Sequence, residues 1–168
     1  MSNPSFQKQV TTQPAPGVAG DFASTNPRST YLAGVAALVA GVNGLICGLF
    51  AWVTNDSNGE PQSAENSGSG SPQGFVHRDQ QGLITGYLDG SGNTIPAGFQ
   101  CTLFTEGDFW AKNETGGAVA VGDSVFTNKT NGKLVAGPAA GNVVATSFKY
   151  ASAGADGELV KISTHLGL

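Results

Sequence analysis

Residues 31–53, YLAGVAALVAGVNGLICGLFAWV, run for twenty-three positions without a charged side chain, and what covers that run decides what the chain can fold into. An apolar stretch of about 20 residues is long enough to cross a bilayer as a helix, and a Trp near one end suits the interface. Gly44 and Gly48 also have the small-xxx-small spacing by which membrane helices approach each other. Against a helix stand Gly34, Gly41, Gly44 and Gly48, five β-branched residues and Asn43. Each glycine costs a water-exposed helix about 1 kcal/mol relative to Ala. Asn43-Gly44 between two apolar runs is instead a strong hairpin signal. Residues 31–53 are therefore expected as an apolar hairpin of two strands, each about eight residues long.

Both faces of that hairpin are apolar. Tyr31, Ala33, Val35, Ala37 and Val39 fall on one side of the first strand, and Leu32, Gly34, Ala36, Leu38 and Ala40 on the other. A half-exposed strand alternates with polar residues, and this one does not. Cover is expected from the rest of the chain on one face and from a partner subunit on the other, which predicts a homo-oligomer or a larger assembly.

The 168 residues suffice for one core. Charged side chains make up 12%, with a net charge of −4. That share is about half the usual one, and a neutral polar surface suits packing against other proteins better than steering an ionic ligand. Lys and Arg do not cluster, so direct nucleic-acid binding is not expected. The 25 glycines, interleaved with Ala, Val, Thr, Ser and Asn, predict many short strands and tight turns. Cys47 and Cys101 lie far apart in apolar surroundings and read as buried, reduced thiols. The first thirty residues lack a basic start followed by an apolar stretch, so no secretory signal is expected.

Along the chain, residues 1–30 hold Pro4, Pro14, Pro16 and Pro27 with spaced hydrophobes Phe6, Val10, Val18 and Phe22. Proline withdraws a donor and favours extended backbone before it, so this segment reads as an extended N-terminal arm. The spaced aromatics suit docking better than solvation. Residues 31–168 read as a single β-rich domain, with the hairpin at 31–53, a polar loop at 54–73 and a β-strand core at 74–168. Within that core, strands are expected at 75–79, 83–88, 101–105, 108–112, 119–121, 124–128, 133–136, 143–150 and 158–164. Turn chemistry such as Thr130-Asn131-Gly132 and Ala155-Asp156-Gly157 separates them. The fold class is all-β, a compact β barrel or sandwich of short strands.

No motif carries chemistry. His77-Arg78-Asp79 matches a kinase tripeptide without the glycine-rich loop, the downstream Lys or the Asp-Phe-Gly that would support it, and reads as a polar cluster at a strand end. The loop from Asp89 has Thr94 and Gln100 where a calcium loop needs Gly and an acid. His165 has no Cys or acid at metal spacing, and no Ser stands in a nucleophile elbow. The sequons Asn113-Glu-Thr115 and Asn128-Lys-Thr130 read as polar turns. We therefore expect no catalytic, metal or cofactor-binding residue and no enzyme activity.

A series of short blocks adds a resemblance. Gln13-Pro14-Ala15-Pro16, Gly20-Asp21-Phe22-Ala23-Ser24, Asn26-Pro27-Arg28, Leu32-Ala33-Gly34 and Phe50-Ala51-Trp52-Val53 are followed by Gly74-Phe75-Val76-His77-Arg78 and Ile95-Pro96-Ala97-Gly98-Phe99. Gly107-Asp108-Phe109-Trp110-Ala111-Lys112 and Val121-Gly122-Asp123 come after them. In this order they resemble the structural cement, or head decoration, proteins of tailed bacteriophages. The resemblance covers most of the chain and weakens after about residue 136, up to the closing Gly157-Glu158-Leu159-Val160-Lys161-Ile162.

It implies a virion protein on the capsid exterior, assembled in the host cytoplasm. Such a protein bridges major capsid subunits and stabilises the head, without catalysis, cofactor or membrane. Phe6, Val10 and Phe22 are then expected to anchor the arm in partner pockets, while Pro14, Pro16 and Pro27 keep it extended. Arg28 is expected to pair with a capsid acid or carbonyl. A tail or baseplate β protein would share the composition, and a membrane-anchored minor protein would need a helical span at 31–53.

Overall fold

Phe50-Ala51, Phe75-Val76 and Leu103-Phe104 are consecutive pairs in which both residues are buried. Successive side chains of a strand point to opposite faces, so the strands that carry these pairs are covered on both sides. The computed structural model describes residues 17–78 and 93–166, and among them it has thirteen strands and no helix. The first strands are β1 (Ser29–Thr30), β2 (Val39–Ala40), β3 (Leu45–Ile46), β4 (Phe50–Asn55), β5 (Pro61–Glu65) and β6 (Gly74–Val76). Next come β7 (Thr94–Ile95), β8 (Leu103–Glu106), β9 (Asp108–Lys112) and β10 (Ser124–Asn128). The last are β11 (Leu134–Val135), β12 (Val143–Tyr150) and β13 (Leu159–Ser163).

They form a six-stranded sheet in the order β1-β8-β6-β4-β5-β2, a five-stranded sheet in the order β11-β10-β12-β13-β9, and the small pair β3-β7. Phe50 lies opposite Phe75, and Phe75 opposite Phe104, so three aromatics cross the first sheet in register. They meet Phe109, Val125, Phe148, Tyr150, Val160 and Ile162 of the second sheet in one core. This is the interior of a β sandwich. The ring centroids of Phe75 and Phe109 are 5.0 Å apart, and those of Phe50 and Phe148 5.6 Å, within the range of favourable aromatic contacts.

The other face of the six-stranded sheet carries a second core. Ala51, Val76 and Leu103 pack there against Leu38, Ala40, Leu45, Cys47, Ala64 and Ile95. Its cover is the apolar run itself. The amides of Ala40, Cys47 and Tyr31 donate to the carbonyls of Phe99, Asn93 and Leu103, which ties residues 31–47 to the segment entering β8.

The expected hairpin at 31–53 is not formed. A turn does close at the expected place, with the Gly44 amide donating to the Gly41 carbonyl at 2.9 Å. The strands on either side do not pair with each other. Val39–Ala40 runs parallel to Ser63–Ala64, Leu45–Ile46 pairs with Ile95 and Thr94, and Phe50–Asn55 is a central strand of the large sheet. The cause is the missing polar face: each apolar stretch finds a separate buried partner, which a two-stranded ribbon could not supply. No helix among the described residues is long and apolar enough to cross a membrane, and residues 31–53 carry β2, β3 and the start of β4 in place of the alternative helical span.

The polar loop expected at 54–73 is also corrected. β4 continues to Asn55, turns, and returns as β5, with Trp52 opposite Glu65 and Thr54 opposite Ser63. An Asx turn sets the reversal: the Asp56 carboxylate accepts from the amides of Asn58 at 2.8 Å and Glu60 at 2.9 Å. Hydrogen bonds from these amides hold its carboxyl below the usual range. Polar composition hid a hairpin whose inner anchor is the buried Ala64.

The strands expected at 108–112, 124–128 and 143–150 are found at those bounds, and those at 75–79, 101–105, 133–136 and 158–164 are found shifted or shortened. At 119–121 only an isolated bridge from Val119 to Gly154 forms. The expected strand at 83–88 lies outside the described residues.

Candidate interaction surface

Residues 17–30, the described part of the expected arm, dock on their own domain. The Gly20 amide donates to the Trp110 carbonyl at 2.8 Å, the Trp110 amide to the Asp21 carbonyl at 2.9 Å, and the Ala23 amide to the Asp108 carbonyl at 2.9 Å. The segment thus adds a short strand-like edge beside β9, and β1 then pairs with β8. Gly20 permits this because its φ is +97°, and because an added Cβ would stand only 3.0 Å from the Gly48 amide nitrogen.

Phe22 fixes the segment. Its ring stacks on the His77 imidazole with centroids 3.7 Å apart, meets Phe104 edge-on at 5.3 Å, and carries the Arg28 guanidinium 3.9 Å above its centroid. His77 Nδ1 lies 2.6 Å from the Gly20 carbonyl oxygen. A carbonyl only accepts, so Nδ1 carries the proton. Arg78 approaches the Asp21 carboxylate at 3.8 Å. The kinase-like tripeptide is thereby a structural clamp in its first two residues.

Asp108 is the hub on the other side of the segment. Its carboxylate accepts from the hydroxyls of Ser24 and Ser163 and from the Asn26 side-chain amide. Burial pushes this carboxyl up, but those three hydrogen bonds and the charge of His165 outweigh it and hold it below the usual value. The His165 ring, through Nε2, bonds the Pro27 carbonyl at 2.7 Å. One acid therefore joins residues 24–27 to the C-terminal strand.

The other prominent feature is a set of exposed apolar side chains in and beside the apolar run. Leu32, Val35 and Val42 are 87, 94 and 87% exposed, and Ile46 and Phe99 are also exposed. All five belong to the apolar run or to the segment hydrogen-bonded to it. Beside Leu32 lies a groove of about 500 Å³, lined also by Ala37, Leu38, Ile95 and Cys101. Burial pushes the half-buried Cys101 thiol up to about 11, so it behaves as an apolar wall and not as a nucleophile. Exposed large apolar side chains gathered in one stretch of chain and its bonded neighbour mark a candidate interaction site.

Phe22, expected in a partner's pocket, instead fills one in its own domain, with Arg28 across it and Pro27 held by His165. Phe6, Val10, Pro14 and Pro16 lie outside the described residues. The hydrogen-bonding role of Asp108 was not foreseen. Its only signal in the sequence is an acid at the start of a strand, facing Ser24 and Asn26 from more than eighty positions away. Among the described residues, no group of three or more His, Cys, Asp or Glu side chains could hold a metal ion.

A family model described as XM1 gp53 minor capsid protein matches residues 6–164. No curated protein matches the chain. Among solved structures, a chain from the capsid of Myoviridae phage XM1 superposes with a TM-score of 0.67. That superposition covers 98% of this chain and 99% of the other at 17% identity, so the two share a fold.

Proposed function

Since the chain belongs to the XM1 gp53 minor capsid protein family and is a structural protein of a phage capsid, we propose that it acts there as a decoration, or cement, protein. In this reading it binds the outer surface of the head, bridges neighbouring major capsid subunits and stabilises the shell without catalysis. It joins the virion during assembly in the host cytoplasm and acts as a homo-oligomer. The observation that carries the reading is the exposure of the apolar side chains Leu32, Val35, Val42 and Phe99. The same run supplies Leu38, Ala40, Leu45 and Cys47 to the second core, so these exposed side chains are carried on a packed segment. A small charge complement keeps such a face suited to another protein, and many modest contacts sum on a repeating lattice.

The arm extends the contact. Residues 1–28 supply Phe6, Val10, Pro14, Pro16, Pro27 and Arg28 as capsid or subunit contacts, with Phe22 as the intramolecular anchor from which the rest departs. The test is add-back of purified protein to heads lacking it, followed by sedimentation and a heat challenge. Wild-type protein should co-sediment and raise the temperature at which the heads release DNA. A Leu32→Asp, Val35→Asp double variant should stay folded and remain in the supernatant. Full occupancy by that variant would overturn the assignment of this face.

A further inference from the structure

The five-stranded sheet ends on one side at β11, an edge strand of two residues. Beside it lies a groove of about 500 Å³, lined by Phe126, Val135, Ala136, Gly137 and Tyr150, with the exposed Asp123 at its rim. Gly137 sits flat on Phe126: an added Cβ would come within 2.3 Å of the ring. Tyr150 is 1% exposed, and its hydroxyl has no hydrogen-bond partner among the described residues. Burial, reinforced by the charge of Asp123, pushes this phenol up to about 12, so it stays a donor at neutral pH.

These features specify an occupant. It must bring an acceptor for the buried hydroxyl, apolar side chains for the walls, and no negative charge near Asp123. It should be extended, because a short edge strand offers backbone groups to a strand-like segment. Residues 1–16 of this chain meet all four requirements. They contain no Asp or Glu, a single cation in Lys8, the hydrophobes Phe6 and Val10, and four Pro or Gln residues between Gln9 and Pro16.

The arm starts across the sheet from the groove. The described chain begins at Gly17, whose added Cβ would stand 2.5 Å from the Trp110 ring in β9, and β9 is the opposite edge of the same sheet. The two edges are four strand spacings apart, about 19 Å, and sixteen extended residues span about 53 Å. An arm that leaves one edge and a groove that lies at the other allow a head-to-tail contact between copies, which forms a ring where the rotation closes.

We propose that residues 1–16 of a second copy of this chain seat in the groove beside β11, with Phe6 against the Phe126 wall and a backbone carbonyl accepting from the Tyr150 hydroxyl. This rests on the reading of the arm as a contact element and names the surface that receives it.

The test is photo-crosslinking of full-length protein carrying p-benzoylphenylalanine in place of Phe6, at high concentration and free of capsids. A covalent dimer joined at residues 126–137 or Tyr150 is expected. Ala136→Arg, a change at an exposed position, should block the groove and abolish that dimer while leaving the circular dichroism spectrum unchanged. Tyr150→Phe should lower its yield about tenfold through loss of one buried hydrogen bond. Crosslinks confined to the same molecule, or to other surfaces, would overturn the proposal. Because no capsid is present, such a failure is separate from a failure to bind heads, which the add-back assay reads.

Discussion

The Phe22 ring and the His77 imidazole stack at 3.7 Å with planes 23° apart, joining the root of the N-terminal arm to the strand that precedes residue 78. The described part of the arm, from Gly17 onward, is therefore packed on the domain. Deleting residues 1–16 should leave the folded domain intact, with an unchanged near-ultraviolet spectrum. Deleting residues 1–28 should remove Phe22 from the core and lower stability by about 2–4 kcal/mol, as for loss of a large core side chain. Equilibrium urea unfolding of both truncations checks this.

Asp108 makes stability depend on acid. Its carboxyl is held below the usual aspartate value, so the hydrogen bonds from Ser24, Asn26 and Ser163 favour the ionised form. A group whose folded value is depressed stabilises fully above its unfolded value and loses that contribution as pH falls through the folded one. Tm should therefore drop below pH about 4 in the wild type. Asp108→Asn should lie below the wild type at pH 7 and converge on it in acid. Parallel pH profiles for the two proteins would contradict the hub.

Asn113 is fully buried and uses every polar atom of its side chain. Its amide donates to the carbonyls of Gly117 at 2.9 Å, Ala155 at 3.0 Å and Gly154 at 3.2 Å, and its oxygen accepts from Thr115. Asn113→Ala should cost about 2–4 kcal/mol, because a fully buried side chain is removed and three part-buried carbonyls lose their donor together. Asn128→Ala, in a half-buried turn of the same sequence pattern, should cost less than half as much. Chemical denaturation of the pair measures the difference.

Gly132 cannot carry a side chain. Its φ is +68°, and an added Cβ would stand 2.2 Å from the Phe50 carbonyl oxygen, while the Phe50 amide donates to the Gly132 carbonyl at 2.9 Å. Gly132→Ala should destabilise by about 2–4 kcal/mol, whereas Gly59→Ala, at a φ of +83° with open space around it, should cost only about 1 kcal/mol. Thermal unfolding of the two variants tests whether the backbone crossing or the dihedral dominates.

Strands with a polar and an apolar face were legible because period-2 alternation is a local property. Val160 and Ile162 point inward while Lys161 lies over the Trp110 ring at 5.0 Å, and this strand and β9 were located to within a residue. The strand Pro61–Glu65 was not legible, because only one of its five residues is buried. Asn113 and Asn128 occupy the same Asn-x-Thr pattern, and both turn the backbone back onto their side-chain oxygen, yet only one is buried beneath Gly117 and Gly154. That difference lies in what packs above them.

The sequence alone determined the β class, the turn at Gly41–Gly44 and the fact that residues 31–53 need apolar cover on both faces, since these follow from nearest-neighbour dihedrals and side-chain alternation. Only the tertiary structure decided which partners supply that cover. Strand pairing links residues far apart in the chain, and several registers bury the same apolar surface equally well in local terms. Choosing Ser63–Ala64, Thr94–Ile95 and Phe75 as partners leaves Leu32, Val35 and Val42 outside, and that remainder is the surface we assign to the capsid.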